Sequence, residues 1–445
     1  MTDPRRLSLR HVVFFGTGNT GLSIVNIVLQ TWLLYFLAPG VGRVLIPASY
    51  VGAVWFFGRV VDAAADPLIA NWSDRLTSRH GRRMPFLMYS TVPLALVMFL
   101  LFWEPVYAGP LAVRVLILAV LLGSFYFLFT AWAAPYYGFI PDFSDDRADR
   151  LNMATSSAVF NLVGTAIAMI AAGKLIDAFS EKPGVFDPGA FTPSMGILAF
   201  ITALSFALCI AGIFSLRNRG GAPAGENLWR TMGMVFQNKP YVVYLFAMNI
   251  FWGGFVIINV SVPYYVTVLM GQPVGFTAAA LGATMGVAVL AFPFINYFAK
   301  RFGNRYTVIG CSGLMGLLLF MIPFIGAPFT GLSPTAMGMV IMVIAGIPIA
   351  GLFLIPNAMV ADLSDFRLPD GRKPGEVIYF GVQGLLQKFI IGVVTAMAGV
   401  LFDVFGSSPE RPLGIQLTGY IGGVLAFFSV YMFVRHYPDD RKGLF

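Results

Sequence analysis

Three ionisable residues in an otherwise apolar stretch offer the clearest chemistry in this sequence. Arg59, Asp62 and Asp66 lie within Gly58-Arg-Val-Val-Asp-Ala-Ala-Ala-Asp-Pro67. Spacings of three and four residues place their side chains on one face of a helix. Pro67 cannot donate a hydrogen bond to the carbonyl of Ala63, which leaves a main-chain oxygen near the two carboxylates. Hard oxygen ligands of this kind predict a site for a proton or a small cation such as Na⁺.

Composition predicts that this site lies in a membrane. Of the 445 residues, 58% are hydrophobic and only 11% are charged, and the mean hydropathy is +0.78. A soluble protein carries roughly 25% charged residues, because its surface must face water. The two cysteines lie in apolar runs and exclude a disulfide framework. The N-terminus lacks the features of a cleavable signal peptide, so we expect none.

Apolar runs long enough to cross a bilayer recur along the whole chain. A transmembrane helix needs about 20 such residues. Twelve runs meet this requirement, at about 11–38, 44–71, 85–106, 110–140, 151–178, 193–215, 240–269, 273–299, 306–328, 333–361, 376–405 and 413–434. Of the 29 basic residues, 22 fall in alternate connections that include both termini. The positive-inside rule therefore predicts cytoplasmic termini. Because the excess charge of +8 is spread over these connections, nucleic acid is not expected as a partner.

An internal repeat divides the chain into two halves. Asp142-Phe-Ser-Asp-Asp-Arg147 recurs in the second half as Asp362-Leu-Ser-Asp-Phe-Arg367. Arg79-His-Gly-Arg-Arg83 recurs as Arg301-Phe-Gly-Asn-Arg305, at nearly the same offset along the chain. We therefore predict six-helix halves at 1–216 and 240–445, joined by a cytoplasmic linker at 217–239. Parallel six-helix halves are the architecture of the major facilitator superfamily, where substrate binds near the membrane midplane. The predicted fold class is an all-α integral membrane protein of this type.

Lys388 is a fourth ionisable residue at depth, about twelve residues into the eleventh run. A lone buried ammonium is costly, so we expect it to pair with Asp62 or Asp66. A static network of these residues with Arg59, holding the halves together, is the alternative. Ionisable residues within a membrane are functional by default, which favours a site whose energy changes with conformation.

Charged residues near the predicted cytoplasmic helix ends are candidates for an inner gate. Ion pairs among them would bias a conformational equilibrium, although solvated loop charges are an equally good interpretation. The candidate gate residues are Arg79, Arg82, Arg83, Asp142, Asp146, Arg150, Asp362, Asp365 and Glu376.

Enzymes and pumps are disfavoured by what the sequence lacks. The three histidines lie in connections or at span ends, and there is no Walker sequence. Gly16-Thr-Gly-Asn-Thr-Gly21 matches a dinucleotide fingerprint only superficially, because it opens a membrane span instead of following a strand. We expect no catalytic residues, no cofactor and no bound metal beyond a possible Na⁺ at the two carboxylates.

The same motifs resemble the glycoside–pentoside–hexuronide:cation symporters, a family of the major facilitator superfamily. The resemblance is carried by both halves, in residues 59–67, 71–85, 135–150 and 361–388. It implies that Asp62 and Asp66 take the coupling cation and that Lys388 lies near that site. It also implies that Tyr137 and Gln383 contact sugar.

Departures from the family pattern change what the resemblance implies. Ala65 replaces an asparagine of the cation motif. Ala133 stands at a position in the fourth helix where a sugar-transporting member of the family has an aspartate. The sugar-binding arginine is missing around Ser157, and an amide, Asn19, replaces the first-helix acid. Loss of cation ligands favours H⁺ over Na⁺ coupling. Loss of the charged clamp argues against a galactoside typical of the family.

Amides and aromatic residues remain as the candidate substrate contacts. They suit stacking on sugar rings and hydrogen bonding to hydroxyls, although packing roles are open for each residue. Together with Lys388, the candidate set is Asn19, Asn26, Trp132, Tyr136, Tyr137, Asn249, Trp252, Gln383 and Gln387.

These observations predict a monomeric, multi-pass transporter of the cell inner membrane, with lipid around it and a small molecule as substrate. The predicted function is cation-coupled symport of a sugar or glycoside-like solute by alternating access. The family also resembles the sodium-dependent lysophospholipid symporters of animals, so an amphiphile carrier is an alternative. An efflux antiporter is a second alternative, and a non-transporting receptor or assembly factor a third.

Overall fold

The described residues of the computed structural model are 7–143, 146–181, 186–217, 233–328, 331–364 and 376–438. They form twelve long helices, which we number in chain order. The first six are α1 (Leu9–Leu37), α2 (Ala48–Arg75), α3 (Met84–Leu101), α4 (Leu111–Phe143), α5 (Arg147–Phe179) and α6 (Pro188–Ile213). The others are α7 (Lys239–Tyr264), α8 (Phe276–Phe302), α9 (Asn304–Met321), α10 (Pro334–Ser364), α11 (Glu376–Phe405) and α12 (Leu413–Arg435).

Each of the twelve predicted spans coincides with one of these helices, which confirms the fold class. Eleven of the helices are long and apolar enough to cross a membrane. The remaining long helix is α2, which carries Arg59, Asp62 and Asp66. The ends of the spans agree less well. The third run predicts a span that reaches residue 106, but α3 ends at Leu101 and a 3₁₀ turn that contains Pro105 follows it.

The chain divides into two compact units. Unit 1 comprises Met1–Ala38, Gly42–Ile46 and Ala53–Ala224, and unit 2 comprises Pro39–Val41, Pro47–Gly52 and Gly225–Phe445. The predicted linker falls largely in residues 218–232, outside the described part of the chain.

The same order of packing occurs inside both units. In unit 1, α1 packs against α5 and α6, while α3 packs against α4 and α6. In unit 2, α7 packs against α11 and α12, while α9 packs against α10 and α12. The neighbours named for α1 and α3 thus correspond to those named for α7 and α9, six positions later in the chain.

Glycines on α1 explain why this helix is the most enclosed span of unit 1. A Cβ at Gly18 would lie 2.6 Å from the Trp132 ring, and one at Gly21 would press on the Phe206 ring. Gly16 meets Ser156 and Phe160 in the same way. These are the glycines of the apparent dinucleotide fingerprint. Their role is to let neighbouring helices approach α1 closely.

The α5 helix approaches the α1 backbone closely at Gly164. A Cβ there would lie against the Thr20 carbonyl oxygen and 2.8 Å from the Thr20 Cα. We expect Gly164→Ala to lower the melting temperature of the purified protein in detergent, because backbone atoms cannot yield as a flexible side chain can. Overpacking of this kind costs about 1–3 kcal/mol.

Gly286→Ala on α8 is the matched control, since a Cβ there meets nothing within 4 Å. Both substitutions improve helix propensity by about 1 kcal/mol, so the control should be neutral or stabilising. Equal melting temperatures for the two variants would show that the α1–α5 contact does not limit stability.

Candidate functional site

The predicted cation cluster is formed by α2 and α4 within unit 1. The Asp62 side chain is completely buried, and the Arg59 side chain is 6% exposed. Arg59 Nη1 lies 3.2 Å from Asp62 Oδ2. The Thr130 hydroxyl of α4 donates to Asp62 Oδ1 at 2.7 Å and also lies 3.5 Å from Asp66 Oδ1. Both carboxylates of α2 thus meet at one hydroxyl, as expected for residues on one helix face.

Arg59 is held against an aromatic ring as well as a carboxylate. Its guanidinium carbon lies 4.5 Å from the centroid of the Tyr126 ring, within the range of a cation–π interaction. Gly58 makes this approach possible, because a Cβ there would lie 2.7 Å from the ring. Arg59 Nε and Nη2 have no hydrogen-bond partner within the described part of the chain. One carboxylate and one aromatic face therefore provide most of the compensation for its charge.

Sequence reasoning missed the two α4 residues of this cluster. Tyr126 and Thr130 are four residues apart, so they face the same side of α4. That spacing of two polar groups in an apolar span is the signal that points to them. Ile69 of α2, Phe86 of α3 and Ala131 of α4 form a small buried apolar cluster in the same unit.

The charge balance of the cluster determines what it can do chemically. Arg59 carries one positive charge, whereas Asp62 and Asp66 carry two negative charges when both are ionised. Asp62 pairs with Arg59, and the half-buried Asp66 lies within reach of the same Thr130 hydroxyl as Asp62. Two carboxylates and a hydroxyl are oxygen groups of the kind that bind a proton or a small cation. Hard cations in proteins prefer several oxygen ligands.

Two of the predicted substrate contacts lie in the packed interior of unit 1. Trp132 and Tyr136 are completely buried. Trp132 Nε1 donates to Thr91 Oγ1 at 3.1 Å, and the Tyr136 hydroxyl donates to the Phe15 carbonyl at 2.8 Å. Tyr136 also stacks on Phe15 with centroids 4.4 Å apart. Both polar tips are satisfied internally, which fits a packing role in this conformation, and a substrate contact for either residue stays a prediction.

Tyr137 has a different environment from its neighbour. It is 47% exposed, and its hydroxyl donates to Asn19 Oδ1 at 3.1 Å. Asn19 is buried, whereas Asn26 is half-buried and accepts a hydrogen bond from Gln30 at 2.8 Å. Of the predicted contacts in unit 1, Tyr137 and Asn26 keep the most accessible surface.

Three of the five predicted contacts in unit 2 line a cavity of about 230 Å³. They are Trp252 of α7 and Gln383 and Gln387 of α11, and their contact with a substrate stays a prediction. The side chains that sequence reasoning missed are mostly apolar. The complete lining is Trp252, Leu352, Phe353, Pro356, Phe380, Gln383, Gly384 and Gln387.

The wall of this cavity is ordered by contacts among its own residues. Trp252 meets Phe353 edge to face, with centroids 5.8 Å apart. Gln383 Oε1 accepts a hydrogen bond from the Tyr244 hydroxyl at 3.1 Å. Asn249 is fully buried and donates to the Leu245 carbonyl one turn earlier, so it lies outside the lining. Lys388 is half-buried on α11 and is also outside the lining.

The candidate gate residues make local ion pairs. Arg82 Nη2 contacts both oxygens of Asp142 at 2.8 and 2.9 Å, and Arg83 Nη1 contacts one of them at 2.7 Å. Arg83 also donates to the Gly138 carbonyl. These contacts join the start of α3 to the end of α4.

The other gate residues are spread over both units. Arg79 is exposed and donates to His80, Asp146 is exposed, and Arg150 is half-buried. Asn304 donates to Asp362 at 3.3 Å. Asp365 and the side chain of Glu376 lie outside the described residues. A gate role for the set stays a prediction.

Comparison with known proteins identifies the family. The model of the MFS/sugar transport protein family matches residues 14–432 of this chain. The chain belongs to this family.

Curated relatives of this chain include proteins that are named as symporters. The sodium-dependent lysophosphatidylcholine symporter 1 of Xenopus tropicalis is 25% identical over 480 residues, covering 98% of this chain and 89% of the relative. The uncharacterized symporter YnaJ of Bacillus subtilis is 23% identical, covering 98% and 93%. The inner membrane symporter YicJ of Escherichia coli is 23% identical, covering 66% of this chain and 62% of the relative.

Solved structures confirm the MFS fold. The nucleoside transporter NupG superposes with a TM-score of 0.67 at 12% identity, covering 96% of this chain and 99% of that one. A bacterial homologue of the lysosomal transporter Spinster superposes with a TM-score of 0.69 at 13% identity, covering 99% of both chains. At these identities the likeness concerns the fold alone. The MFS chain is thus a multi-pass membrane protein whose relatives are transporters.

The buried pair at Arg59 and Asp62 leads to a stability test. We expect Arg59→Met to destabilise the protein, because it leaves the buried Asp62 carboxylate without its counter-charge. Breaking a buried pair in this way costs about 3–5 kcal/mol. The measurement is the thermal unfolding of the purified protein in detergent.

The double variant Arg59→Met, Asp62→Asn is the matched control. It removes both charges, so it should recover most of the lost stability. If the double variant does not recover stability, Arg59 acts through its packing on Tyr126 and not through the ion pair.

Proposed function

We propose that this protein is a cation-coupled symporter whose coupling site is the cluster of Asp62, Asp66 and Thr130. The observation that carries the proposal is the meeting of both carboxylates at the Thr130 hydroxyl, beside the guanidinium that pairs with Asp62. Arg59 compensates Asp62, so the charge state of Asp66 can change while the buried pair stays intact. One added cation per transport cycle is the simplest stoichiometry for this arrangement.

Protonation is the coupling event that we favour. Two carboxylates and one hydroxyl supply few of the oxygen ligands that a metal cation prefers. The neighbouring guanidinium of Arg59 repels a metal cation as well. A proton needs only one carboxylate oxygen. The proposal includes Lys388 as an alternating partner: its ammonium would match Asp66 when the proton is absent, which makes reorientation depend on the coupling ion.

For the substrate, we propose a neutral glycoside-like solute. The cavity in unit 2 combines the aromatic rings of its wall with the amides of Gln383 and Gln387. Aromatic faces pack on sugar rings, and amides hydrogen-bond to hydroxyl groups. Membership of the glycoside–pentoside–hexuronide:cation symporters is part of this proposal, as are cytoplasmic termini and location in the inner membrane of a cell.

A lysophospholipid is the second candidate substrate. It is favoured by the sodium-dependent lysophosphatidylcholine symporters, which match nearly the whole of this chain. It is also favoured by the apolar share of the cavity wall, in which Leu352, Phe353, Pro356 and Phe380 could accept an acyl chain.

Substitution of Asp66 tests the coupling site. We expect Asp66→Asn to abolish accumulation driven by a proton gradient while leaving substrate exchange intact, because the amide cannot take up a proton. With a gradient of one pH unit, one-to-one coupling supports about tenfold accumulation in proteoliposomes. The variant should fall to a ratio of about one.

Asp177→Asn is the matched control, since Asp177 is an exposed carboxylate near the end of α5. It should accumulate substrate as the wild type does. Wild-type accumulation by Asp66→Asn would remove Asp66 from the coupling site. If Asp62→Asn also accumulates substrate as the wild type does, Asp62 is not part of the coupling site.

A panel of labelled substrates distinguishes the two candidate classes. Glycosides and lysophospholipids are offered to proteoliposomes under separate H⁺ and Na⁺ gradients. Glycoside accumulation driven by H⁺ supports the first candidate. Lysophospholipid uptake with glycosides ignored supports the second. Export from preloaded vesicles against the gradient would favour an antiporter over both.

Gln387→Leu separates the same two candidates by mutation. Loss of a hydrogen bond to a sugar hydroxyl costs about 1–3 kcal/mol, so glycoside uptake should fall by roughly 10- to 100-fold. Lysophospholipid uptake should be unchanged, because leucine extends the apolar wall. Unchanged glycoside transport in this variant would show that the cavity in unit 2 is not the sugar site.

A further inference from the structure

A second cavity lies at the end of unit 1 where two connections meet. It has a volume of about 420 Å³ and is formed by the α1–α2 connection, the α3–α4 connection and the start of α4. Its residues are separate from the coupling cluster and from the cavity in unit 2. Its lining is Arg43, Leu45, Glu104, Pro105, Tyr107, Ala108, Gly109 and Arg114.

Arg114 is a fixed positive group in this wall. Its Nε donates to the Gly109 carbonyl at 2.8 Å, and its Nη1 donates to the Leu45 carbonyl at 2.9 Å. Gly109 has a φ of 106°, a conformation that favours glycine, so the loop that presents this carbonyl depends on that residue. The guanidinium joins the two connections and keeps other donors for a ligand.

Two further charges at the cavity are available to a ligand. Arg43 is exposed and Glu104 is half-buried. Neither side chain makes a hydrogen bond or an ion pair in the described ranges of the chain, although both line the same cavity with Arg114. Arg43 and Arg114 are also two of only four basic residues predicted outside the cytoplasm. Basic residues are rare on that predicted side, so the presence of two of them and a carboxylate at one cavity does not follow from a generally basic surface.

The remaining polar group of the lining is already used. Burial raises the pKa of Tyr107 above its ordinary value, so its hydroxyl stays protonated. That hydroxyl donates to the Leu101 carbonyl at 3.0 Å. The groups left for a ligand are thus two guanidinium groups and one carboxylate.

This combination matches a zwitterion that carries both a phosphate and an amine. Guanidinium groups bind phosphate oxygens with strong, charge-assisted hydrogen bonds. Glu104 offsets one of the two positive charges and so weakens the attraction for a simple anion, whereas it suits an ammonium that donates hydrogen bonds. Quaternary ammonium groups are recognised by aromatic cages. Tyr107 is the single aromatic residue among those that line the cavity, so a primary ammonium fits better than choline.

The position of the cavity points to a membrane lipid as the source. It lies between the end of α3 and the start of α4. Trp103, which precedes the lining residue Glu104 in the chain, stacks on Phe99 with centroids 6.1 Å apart. Tryptophan at span ends marks the level of lipid headgroups. Leu111 and Val113, exposed on the first turn of α4, offer an apolar surface for acyl chains next to the cavity.

We propose that the cavity lined by Arg43, Glu104 and Arg114 binds the headgroup of a phospholipid with a phosphate and a primary ammonium, such as phosphatidylethanolamine. The phosphate contacts the two arginines, and the ammonium contacts Glu104. The site is independent of the coupling cluster and of the cavity in unit 2.

Lipid binding to the purified full-length protein in detergent tests this proposal. Phosphatidylethanolamine, phosphatidylcholine, phosphatidylglycerol and phosphatidic acid with identical acyl chains are compared by native mass spectrometry and by melting temperature. The expected result is preferential binding of phosphatidylethanolamine, weakened about tenfold or more by Arg43→Gln or Glu104→Gln. Arg411→Gln, at an exposed arginine of unit 2, is the matched control and should bind as the wild type does.

A variant that gains binding to one lipid must still be folded, so a gain distinguishes a specific effect from misfolding. Glu104→Gln removes the repulsion of a bare phosphate, so this variant should bind phosphatidic acid more tightly than the wild type does. Equal binding of all four lipids by the wild type, or retained preference in both variants, overturns the proposal. Equal stabilisation by water-soluble phosphoethanolamine at matched concentration overturns the assignment to a lipid.

Discussion

The energetic cost of charge inside a membrane is the constraint on which unit 1 depends. The α2 helix places Arg59, Asp62 and Asp66 in a span whose neighbours are apolar, and each isolated charge there costs about 2.5–3.5 kcal/mol. Internal compensation is the physical solution. Arg59 and Asp62 pair within one turn of α2, while Tyr126 and Thr130 of α4 cover the guanidinium and the carboxylates. This compensation ties α2 to α4 by specific contacts, and apolar packing alone would not provide that specificity.

The two carboxylates of α2 lie in different environments. The Asp62 carboxylate is buried and accepts hydrogen bonds from Arg59 and Thr130. Asp66 lies one turn further along α2 and is half-buried. Burial and neighbouring charges both affect the energy of a carboxylate, so two residues of the same type can differ in their chemistry.

Close helix packing supplies the rigid frame around this cluster. Lipid tails are as apolar as leucine, so association of membrane helices relies on close packing and on interhelical hydrogen bonds. Gly16, Gly18 and Gly21 bring α1 against aromatic rings of α4, α5 and α6. Trp132 and Tyr136 fill the resulting interior and satisfy their polar atoms there. These two polar aromatic residues therefore contribute to the packing of unit 1.

The sequence by itself determined the architecture. The length of the hydrophobic runs follows from the bilayer thickness and from backbone hydrogen bonding, which act locally on the chain, and the internal repeat divides those runs into two halves. Because helix geometry is equally local, spacing alone was sufficient to place the α2 charges on one face. The misplaced end of α3 shows the limit, because a proline-containing turn replaced the last part of an apolar run.

Only the tertiary structure decided which side chains from different helices meet. Thr130 joined the cation cluster, Trp132 and Tyr136 were enclosed in the interior, and Trp252, Gln383 and Gln387 came together at a cavity. The charges of Arg43, Glu104 and Arg114 gathered in the same way from separate connections. Sequence periodicity shows which residues share one face of a helix, but it does not show which neighbouring helix that face contacts. That contact depends on the packing of several helices at once, which no local pattern encodes.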